Sequence, residues 1–334
     1  MTRDDDNLAG MVGRHPVMRE VYRLVRRAAA TRLPVVIEGE TGTGKELVAR
    51  ALHELGPTPG GPFADINCAT IQESLAEGEL FGWERGAFTG AVRSAAGLLA
   101  HAHGGTLFLD EVCSLSLAVQ AKLLRAIERG ESRRVGGARQ QVAAFRLVAA
   151  ASQPVASLVA SGRMREDFVY RILGITIALP PLRSRLTDIE ALVEYFLRTS
   201  NGNGHPAKVL DAAAVALLRR QKWPGNVREL RMVVERSAVL AEARTITLAD
   251  LMDTLPQRGA CLPSREDLVA AVDASGGHMG RAARSLGIGR TKFYRLLRLH
   301  GLSGPRVVPA NNRVVPGNNG AQDAHPQSPI VSMT

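Results

Sequence analysis

Two short motifs in this chain have the residue types and spacing needed to bind and cleave a triphosphate. The first is a glycine-rich segment with the spacing G-x-x-x-x-G-K. In such segments backbone N–H groups surround phosphate oxygens, and the lysine reaches the β and γ phosphates. Its residues are Gly39, Glu40, Thr41, Gly42, Thr43, Gly44, Lys45 and Glu46. The segment predicts a nucleotide-binding loop.

The second motif is the acidic pair Asp110 and Glu111, which follows two glycines and the apolar run 106–109. A strand end of this kind places one carboxylate at a metal ion and the next at the attacking water. We therefore expect Asp110 to bind Mg²⁺ and Glu111 to act as general base. A random glycine-rich turn could mimic the first motif alone, but both motifs in this order favour binding of ATP.

Glu46 departs from the usual pattern of the glycine-rich segment. Ser or Thr normally stands at this position, and its hydroxyl contacts Mg²⁺. The metal must then rely more on nucleotide oxygens, water and Asp110.

Apolar runs around these motifs predict an α/β fold with a doubly wound parallel sheet. Residues 34–37 form a short β-branched run that leads into the glycine loop, and a helical pattern follows over about 46–55. Runs 106–109 and 145–149 predict two more core strands, with a helix at about 117–128 between them.

Past Pro181 the pattern becomes helical and continues to about Leu255. Residues 187–190 have capping-box spacing, and an apolar stripe at helical periodicity follows them. After a loop at 201–206, we expect a helix opened by Asp211 and another capped by Asn226, with a glutamate three residues on. These elements predict a helical subdomain.

A basic three-helix pattern near the carboxyl end predicts a helix-turn-helix that binds DNA. A solvated basic helix face is the alternative interpretation. On the third helix, Arg290 and Lys292 are expected to read base edges, whereas Arg295 and Arg298 are expected to hold phosphates. The outward face consists of Arg290, Thr291, Lys292, Arg295 and Arg298.

These patterns divide the chain into six segments. We assign a polar extension (1–10), an α/β nucleotide-binding subdomain (11–182), a helical lid (183–255), a linker (256–263), a helix-turn-helix domain (264–302) and a disordered tail (303–334).

Composition limits the functional classes. The 334 residues carry 42 Lys+Arg against 32 Asp+Glu, and the net charge of +10 favours attraction to a polyanion such as DNA. Cys68, Cys113 and Cys261 lack C-x-x-C spacing, so neither a disulfide framework nor a zinc ribbon is supported. Without a signal peptide or a run of ~20 apolar residues, we expect a cytoplasmic protein that does not enter membranes.

One further segment places a large apolar ring between glycines. It consists of Gly86, Ala87, Phe88, Thr89, Gly90 and Ala91. The glycines let the backbone turn back on itself, so Phe88 can be presented at a tip. A buried hairpin phenylalanine is the alternative, but the position between the two nucleotide motifs favours a loop that pushes on a partner protein.

From about Val12 to Leu302 the sequence resembles the bacterial enhancer-binding AAA+ activators of sigma-54 RNA polymerase, which end in a Fis-type helix-turn-helix. Besides loop 86–91 and the residues 79–82 before it, several linked motifs carry the resemblance. They are Phe63-x-x-x-Asn67-Cys68-Ala69, Arg134-Val135-Gly136-Gly137, Arg163-Met164-Arg165-Glu166-Asp167-Phe168, Leu179-Pro180-Pro181-Leu182-Arg183 and Trp223-Pro224-Gly225-Asn226-Val227-Arg228-Glu229-Leu230.

The resemblance implies an AAA+ P-loop NTPase that assembles into a ring, commonly a hexamer. Arg165 and Arg171 match arginines that reach the ATP of the neighbouring subunit, and Arg228 matches a second nucleotide sensor on the lid. Asn67 matches the residue that holds the catalytic glutamate until the partner engages. Permanently charged, planar arginines suit the stabilisation of spread phosphoryl charge.

The same resemblance assigns the partners. Loop 86–91, tipped by Phe88 and Thr89, would contact the sigma-54 RNA polymerase holoenzyme, and the Fis-type domain would bind upstream enhancer DNA. We expect that no receiver or ligand-binding domain precedes the core. We therefore expect control by a separate regulatory protein or by expression level, as in phage-shock and type III secretion activators.

Ser152 departs from the family pattern, which has asparagine there to sense the γ-phosphate. Serine is shorter and carries no amide, so we expect weaker hydrolysis or weaker coupling to loop movement. A DNA-binding regulator that binds ATP but hydrolyses it weakly or not at all is therefore an alternative. A general AAA+ remodeller fits less well with loop 86–91 and the Fis-like end.

Overall fold

The computed structural model describes residues 7–200, 208–255, 265–286, 289–300 and 302. The chain divides after Pro256 into two compact units. The expected loop at 201–206, the linker 256–263 and the tail 303–334 lie outside the described residues, as do residues 1–6 of the polar extension and residues 264, 287–288 and 301 of the predicted helix-turn-helix domain.

The first unit contains both strands and helices. The strands are β1 (Asn7–Leu8), β2 (Met11–Val12), β3 (Val35–Glu38), β4 (Phe63–Asn67), β5 (Gly82–Trp83), β6 (Ala95–Ala96), β7 (Thr106–Asp110), β8 (Glu131–Arg133), β9 (Gln140–Val142), β10 (Arg146–Ala151), β11 (Ile175–Ala178), β12 (Val209–Leu210) and β13 (Thr245–Ile246). The helices are α1 (Pro16–Ala29), α2 (Lys45–Glu54), α3 (Glu73–Phe81), α4 (Leu98–His101), α5 (Leu117–Arg129), α6 (Val155–Ala160), α7 (Glu166–Ile172), α8 (Ile189–Ser200), α9 (Ala212–Arg219), α10 (Asn226–Leu240) and α11 (Leu248–Thr254).

The central sheet of the described residues is parallel and has the strand order β11-β3-β10-β7-β4. β10 is buried at every residue, and β3 and β7 are buried except at the last residue of each. Alternate side chains enter different cores. Val36 packs with α3, α5 and α7, whereas Val35 and Ile37 pack with α1 and α2. Helices therefore cover both faces, as in other parallel sheets, and the predicted doubly wound α/β fold is confirmed.

The carboxyl ends of these strands meet at one edge of the sheet. The register pairs Asn67 with Asp110, and the last residue of β10 with the last residue of β3. Gly39 follows β3, Glu111 follows β7 and Ser152 follows β10. The sheet thus brings the glycine loop, the acidic pair and Ser152 to the edge where open α/β sheets bind ligands.

A separate apolar cluster forms the helical lid from α8, α9, α10 and α11. Trp223 lies within it at 2% exposure, and its indole N–H donates to the carbonyl of Leu218 at 2.8 Å. Asp211 caps α9 as predicted, because its carboxylate accepts the N–H of Ala214 at 2.5 Å.

The predicted capping box at 187–190 is wrong. α8 begins at Ile189 directly after a 3₁₀ turn, rather than at a Thr187 cap. The physical reason is that Thr187 lies inside that turn, which spans Leu186–Asp188. The buried carboxylate of Asp188, the last residue of the turn, accepts the N–H groups of Arg14 and His15, both at 2.7 Å. Asp188 therefore ties the amino-terminal segment to the lid.

The second unit contains α12 (Arg265–Ala274), α13 (Met279–Ser285) and α14 (Arg290–Leu299). Leu268, Val272, Phe293, Leu296 and Leu297 belong to its buried core. His278 is the N-cap residue of α13, and Gly289 is the N-cap residue of α14. Neither makes a side-chain capping bond. None of the described helices in either unit is both long and apolar enough to span a bilayer.

Arg146 is a buried cation at the amino end of β10. Its guanidinium donates to the carbonyls of Ala28 and Ala29 at 2.6 and 3.2 Å, and to that of Leu52 at 2.9 Å. These carbonyls lie at the ends of α1 and α2, where the helix dipole favours a positive charge. One side chain thus holds two helices against the sheet.

Arg146→Leu should lower the free energy of unfolding by about 3 kcal/mol, because it removes the donor to the buried carbonyl oxygens of Ala29 and Leu52. Arg146→Lys keeps the charge on a single donor centre and should lose less. Urea unfolding followed by circular dichroism measures both variants. Unchanged stability of the leucine variant would contradict the role assigned to Arg146.

Candidate nucleotide site and partner loop

A cleft of about 640 Å³ lies at the carboxyl edge of the sheet. Its walls come from the amino-terminal segment, the glycine loop, the strand ends and the lid. The predicted site residues on its wall are Thr41, Gly42, Thr43, Gly44, Lys45, Glu46, Asn67, Asp110, Glu111, Ser152 and Arg228. A cleft of this volume fits a small-molecule cofactor.

The glycine loop ends at the amino terminus of α2. Gly42 and Gly44 have φ angles of 81° and 107°, which glycine adopts without strain. Lys45 is 7% exposed, and its ammonium donates to the carbonyl of Gly39 at 2.8 Å and to Glu111 Oε1 at 3.3 Å. A helix start and a buried ammonium together favour a bound phosphate.

Asp110 and Glu111 have different surroundings. Burial raises the pKa of Asp110, an effect that Lys45 opposes and Glu111 reinforces. Glu111 has a left-handed φ of 51°, and its Oε2 accepts the N–H of Ser152 at 3.3 Å. Strained backbone at a non-glycine residue is typical of functional sites. The two carboxylates therefore have different partners: Asp110 is bonded to Asn67, and Glu111 is bonded to Lys45 and Ser152.

Asn67 contacts a different carboxylate from the one expected. Its side-chain amide donates to Asp110 Oδ2 at 3.1 Å, whereas Glu111 is bonded to Lys45 and Ser152. The expected contact between Asn67 and Glu111 is wrong for this conformation, because the register of β4 and β7 sets Asn67 opposite Asp110. The switch role of Asn67 stays a prediction.

The oxygen donors on the cleft fit a magnesium ion held through one carboxylate. Asp110 lies at the end of β7 with both oxygens within a polar network. Glu46 also lines the cleft, but its carboxylate pairs with Arg50 on the surface of α2 at 3.0 Å. Mg²⁺ usually keeps several waters and binds through one or two carboxylates plus phosphate oxygens.

The lid contributes Arg228 to the cleft. Its backbone N–H donates to the carbonyl of Gly42 at 3.2 Å, so α10 begins directly on the glycine loop. The N-cap of α10 is Gly225 and not the predicted Asn226. The reason is local: the Glu229 carboxylate accepts the N–H of Gly225 at 2.7 Å, and Asn226 already belongs to the helix.

Three arginines of the cleft, Arg163, Arg185 and Arg231, were not predicted as site residues. Arg163 lies 3.9 Å from the sulfur of Cys113, and buried Arg185 donates to the carbonyl of Thr43 at 3.2 Å. Arg163 stands first in one of the motifs that carry the family resemblance, so the sequence could have indicated it as a site residue. No sequence pattern indicates Arg185, because its partner lies 142 residues away in sequence.

Arg165 and Arg171 do not line the cleft of their own chain. Arg165 is 41% exposed and forms a two-point pair with Asp167 at 3.0 and 2.7 Å, which lowers the pKa of Asp167. Arg171 is exposed and donates to the carbonyl of Ile127 at 3.4 Å. Their predicted action on a neighbouring subunit stays a prediction.

Loop 86–91 extends from the hairpin of β5 and β6. Its two glycines have φ angles of 85° and 100°, and the N–H of the first residue donates to the carbonyl of Ala91 at 2.9 Å. Phe88 is 43% exposed, and its ring meets the ring of Trp83 edge-on at 5.7 Å between centroids. Ala91 is buried. The loop therefore presents an aromatic ring to solvent.

The sheet, the glycine loop, the acidic pair and the helical lid define a P-loop NTPase of the AAA+ class. The chain belongs to the Sigma-54 interaction domain family, which matches residues 11–178, and residues 183–267 match the AAA+ ATPase lid domain. Members of this family are ATPases.

Individual relatives agree with the family. The chain is 45% identical over 273 residues to the DNA-binding transcriptional regulator NtrC of Azospirillum brasilense, covering 80% of this chain and 57% of that protein. It is 42% identical over 307 residues to the Nif-specific regulatory protein of Azotobacter vinelandii, covering 87% and 59%. The chain thus spans less than two thirds of the length of these relatives. The crystal structure of NtrX from Brucella abortus in complex with ATP is similar, with 33% identity, a TM-score of 0.68 and coverage of 89% of this chain and 70% of that one.

Glu111→Gln should reduce ATP turnover by at least about 100-fold, because an amide cannot accept the proton of the attacking water. ATP binding should persist, since Lys45 and the loop N–H groups are unchanged. Phosphate release and binding of a fluorescent ATP measure the two properties. Glu77→Gln, on α3 outside the cleft, is the matched control. Undiminished turnover in the Glu111 variant would remove its assignment as general base.

Proposed function

We propose that this chain is a transcriptional activator that uses ATP hydrolysis to remodel the sigma-54 RNA polymerase at a promoter. Membership of the Sigma-54 interaction domain family supports action on this polymerase. The observation that carries the proposal is the exposed Phe88 in a chain that also has a nucleotide cleft of the AAA+ class. The protein would act in the cytoplasm, where this polymerase works.

The cleft residues have separate tasks in this proposal. When bound, ATP with Mg²⁺ supplies the phosphoryl group whose transfer to water releases free energy. The glycine-loop N–H groups and Lys45 would hold the phosphates, and Asp110 would hold the ion. Lys45 gives up its contact with Glu111 when it binds phosphate oxygens, which leaves the Glu111 carboxylate available to accept a proton from water.

A short covalent route joins the cleft to the partner loop. β4 ends at Asn67, whose amide is bonded to Asp110. α3 follows and ends at Phe81, directly before the hairpin that carries loop 86–91. We propose that changes at Asp110 during hydrolysis alter the Asn67 contact, and that α3 transmits the change to the loop.

Assembly into a ring, commonly a hexamer in proteins of this type, is part of the proposal. Arg165 and Arg171 are exposed and away from the cleft of their own chain, a placement that suits a contact with the nucleotide of the next subunit. Arg165 would have to exchange Asp167 for phosphate oxygens. An arginine fork binds either partner at two points.

Ser152 favours a second candidate function, a DNA-binding regulator that binds ATP to assemble without efficient hydrolysis. Its main-chain N–H reaches Glu111, but its side chain offers no amide for a γ-phosphate. Steady-state turnover of the purified protein separates the two candidates. Turnover at the background rate of the Glu111→Gln variant would favour the second.

Phe88→Ala should abolish transcription from sigma-54-dependent promoters and leave ATP turnover within about twofold of the unchanged protein. The substitution removes the exposed ring and none of the cleft residues. Reconstituted transcription and phosphate release measure both properties. Val239→Ala truncates an apolar side chain on the lid that is even more exposed, at 82% against 43% for Phe88, and serves as control. Unimpaired transcription by the Phe88 variant would overturn the proposal.

We propose that the second unit binds upstream enhancer DNA through α14. Arg290, Arg295 and Arg298 are exposed on this helix, and the side chains of Thr291 and Lys292 lie outside the described residues. A helix with outward arginines and a buried apolar face suits insertion into the major groove. Arg290 and Lys292 would read base edges, and the later arginines would hold phosphates.

Arg298→Ala should weaken binding to all DNA sequences and lower the salt slope by about one, because one phosphate contact is lost. Arg290→Ala should instead relax the choice among sequences. Fluorescence anisotropy with specific and scrambled duplexes over a salt series measures both effects. Identical effects of the two substitutions on every duplex would contradict this division of roles.

A further inference from the structure

Hydrogen bonds join the lid side of the molecule to four successive residues of the glycine loop. The Glu40 carboxylate accepts two bonds from Arg183 at 2.6 and 2.8 Å, and one from the Asn226 amide at 3.1 Å. The next three residues accept through their carbonyls. Thr41 is bonded to the Asn226 amide at 3.0 Å, Gly42 to the Arg228 N–H at 3.2 Å and Thr43 to the Arg185 guanidinium at 3.2 Å.

Both the backbone and the side chain of Asn226 suit the close contact between the glycine loop and the lid. It is fully buried, and its Oδ1 accepts the N–H of Leu182 at 2.8 Å, so both ends of its amide are bonded. Its φ is 51°, a left-handed conformation that asparagine tolerates better than most residues. A Cβ on Gly42 would lie 2.3 Å from the carbonyl oxygen of Gly225. The loop and the lid therefore meet backbone to backbone.

These bonds also orient the loop toward a phosphate. In a trans peptide, the carbonyl and the following N–H point in opposite directions. Because lid-side donors hold the carbonyls of Thr41 and Thr43, the N–H groups of Gly42 and Gly44 point away from those donors. Both glycines line the cleft. The shape that suits phosphate binding thus depends on the attached lid.

The ion pair of Glu40 and Arg183 positions the glycine loop relative to the lid more than it stabilises the fold. Their side chains are 40% and 50% exposed, and exposed pairs contribute little to the free energy of folding. The two-point contact nevertheless fixes both orientation and distance. Arg183, and then the Asn226 amide, lower the pKa of Glu40 to about 2, so the carboxylate stays charged at any pH near neutrality.

We propose that Glu40 is a positioning residue that couples two equilibria: binding of nucleotide in the cleft and attachment of the lid to the glycine loop. Glu40, Arg183 and Asn226 form a latch between the glycine loop and α10, and this latch determines where Arg228 stands in the cleft. Nucleotide binding then strengthens lid attachment, and the attached lid strengthens nucleotide binding by the same factor. The inference rests on the proposed binding of nucleotide at this cleft.

Equilibrium binding of fluorescent ADP to the full chain is the first measurement. Glu40→Gln and Arg183→Gln should each raise the Kd for ADP by at least about fivefold. The double variant should bind no more weakly than the worse single variant, because both substitutions break one latch. Arg219→Gln breaks an exposed ion pair of the lid away from the loop and should leave the Kd unchanged.

Hydrogen exchange of α10 is the second measurement, and it separates positioning from general destabilisation. In the unchanged chain and in Arg219→Gln, ADP should slow exchange of the α10 amides. In Glu40→Gln this ADP-dependent slowing should be lost, while exchange of α5 stays as in the unchanged chain. Asn226→Gly keeps the left-handed backbone but removes the amide, so it should behave like Glu40→Gln.

The outcomes distinguish the latch from the proposed function. ADP binding by the unchanged chain together with unchanged Kd and unchanged α10 protection in Glu40→Gln and Arg183→Gln would overturn the latch alone. Faster exchange throughout the first unit of the variants would also overturn it, because the role of Glu40 would then be structural. Failure of the unchanged chain to bind ADP would overturn the proposed function and the latch together.

Discussion

The parallel register of the central sheet is the constraint on which the other features depend. β3, β7 and β10 are buried almost throughout, so the chain can place polar groups only where these strands end. Because parallel strands end at one edge, Lys45 and Glu111 meet at 3.3 Å although 66 residues separate them in sequence. A slip of one residue would exchange the two cores and separate these groups.

Hydrogen bonds connect the cleft at this edge to two other parts of the molecule. On one side, carbonyls of the glycine loop are bonded to the start of α10, so the loop and the lid share one geometry. On the other side, Asp110 is bonded to Asn67, and α3 leads from there to Phe88. A triphosphate in the cleft would act on both the lid and loop 86–91 through these existing hydrogen bonds. The two proposals of coupling share this single origin.

Local patterns in the sequence predict the core of the fold well, because the hydrophobic pattern of a buried strand or an amphipathic helix is visible within a few residues. Predicted strand 34–37 is β3, and predicted helix 117–128 is α5. The edge strands β4 and β11 were missed, since each pairs on one side only and β4 mixes buried and exposed residues. Tertiary partners caused the other errors: Asp188 binds backbone 174 residues away, and the register of β4 turns Asn67 toward Asp110.

We propose that the nucleotide in the cleft controls contact between Phe88 and sigma-54. A photoreactive phenylalanine analogue at position 88 tests it directly, with crosslinking to sigma-54 measured in the Glu111→Gln background. We expect a strong crosslink with ATP and a much weaker one with ADP, because only the triphosphate places a γ-phosphate beside Lys45, Asp110 and Glu111. Equal crosslinking with ATP, with ADP and without nucleotide would contradict it.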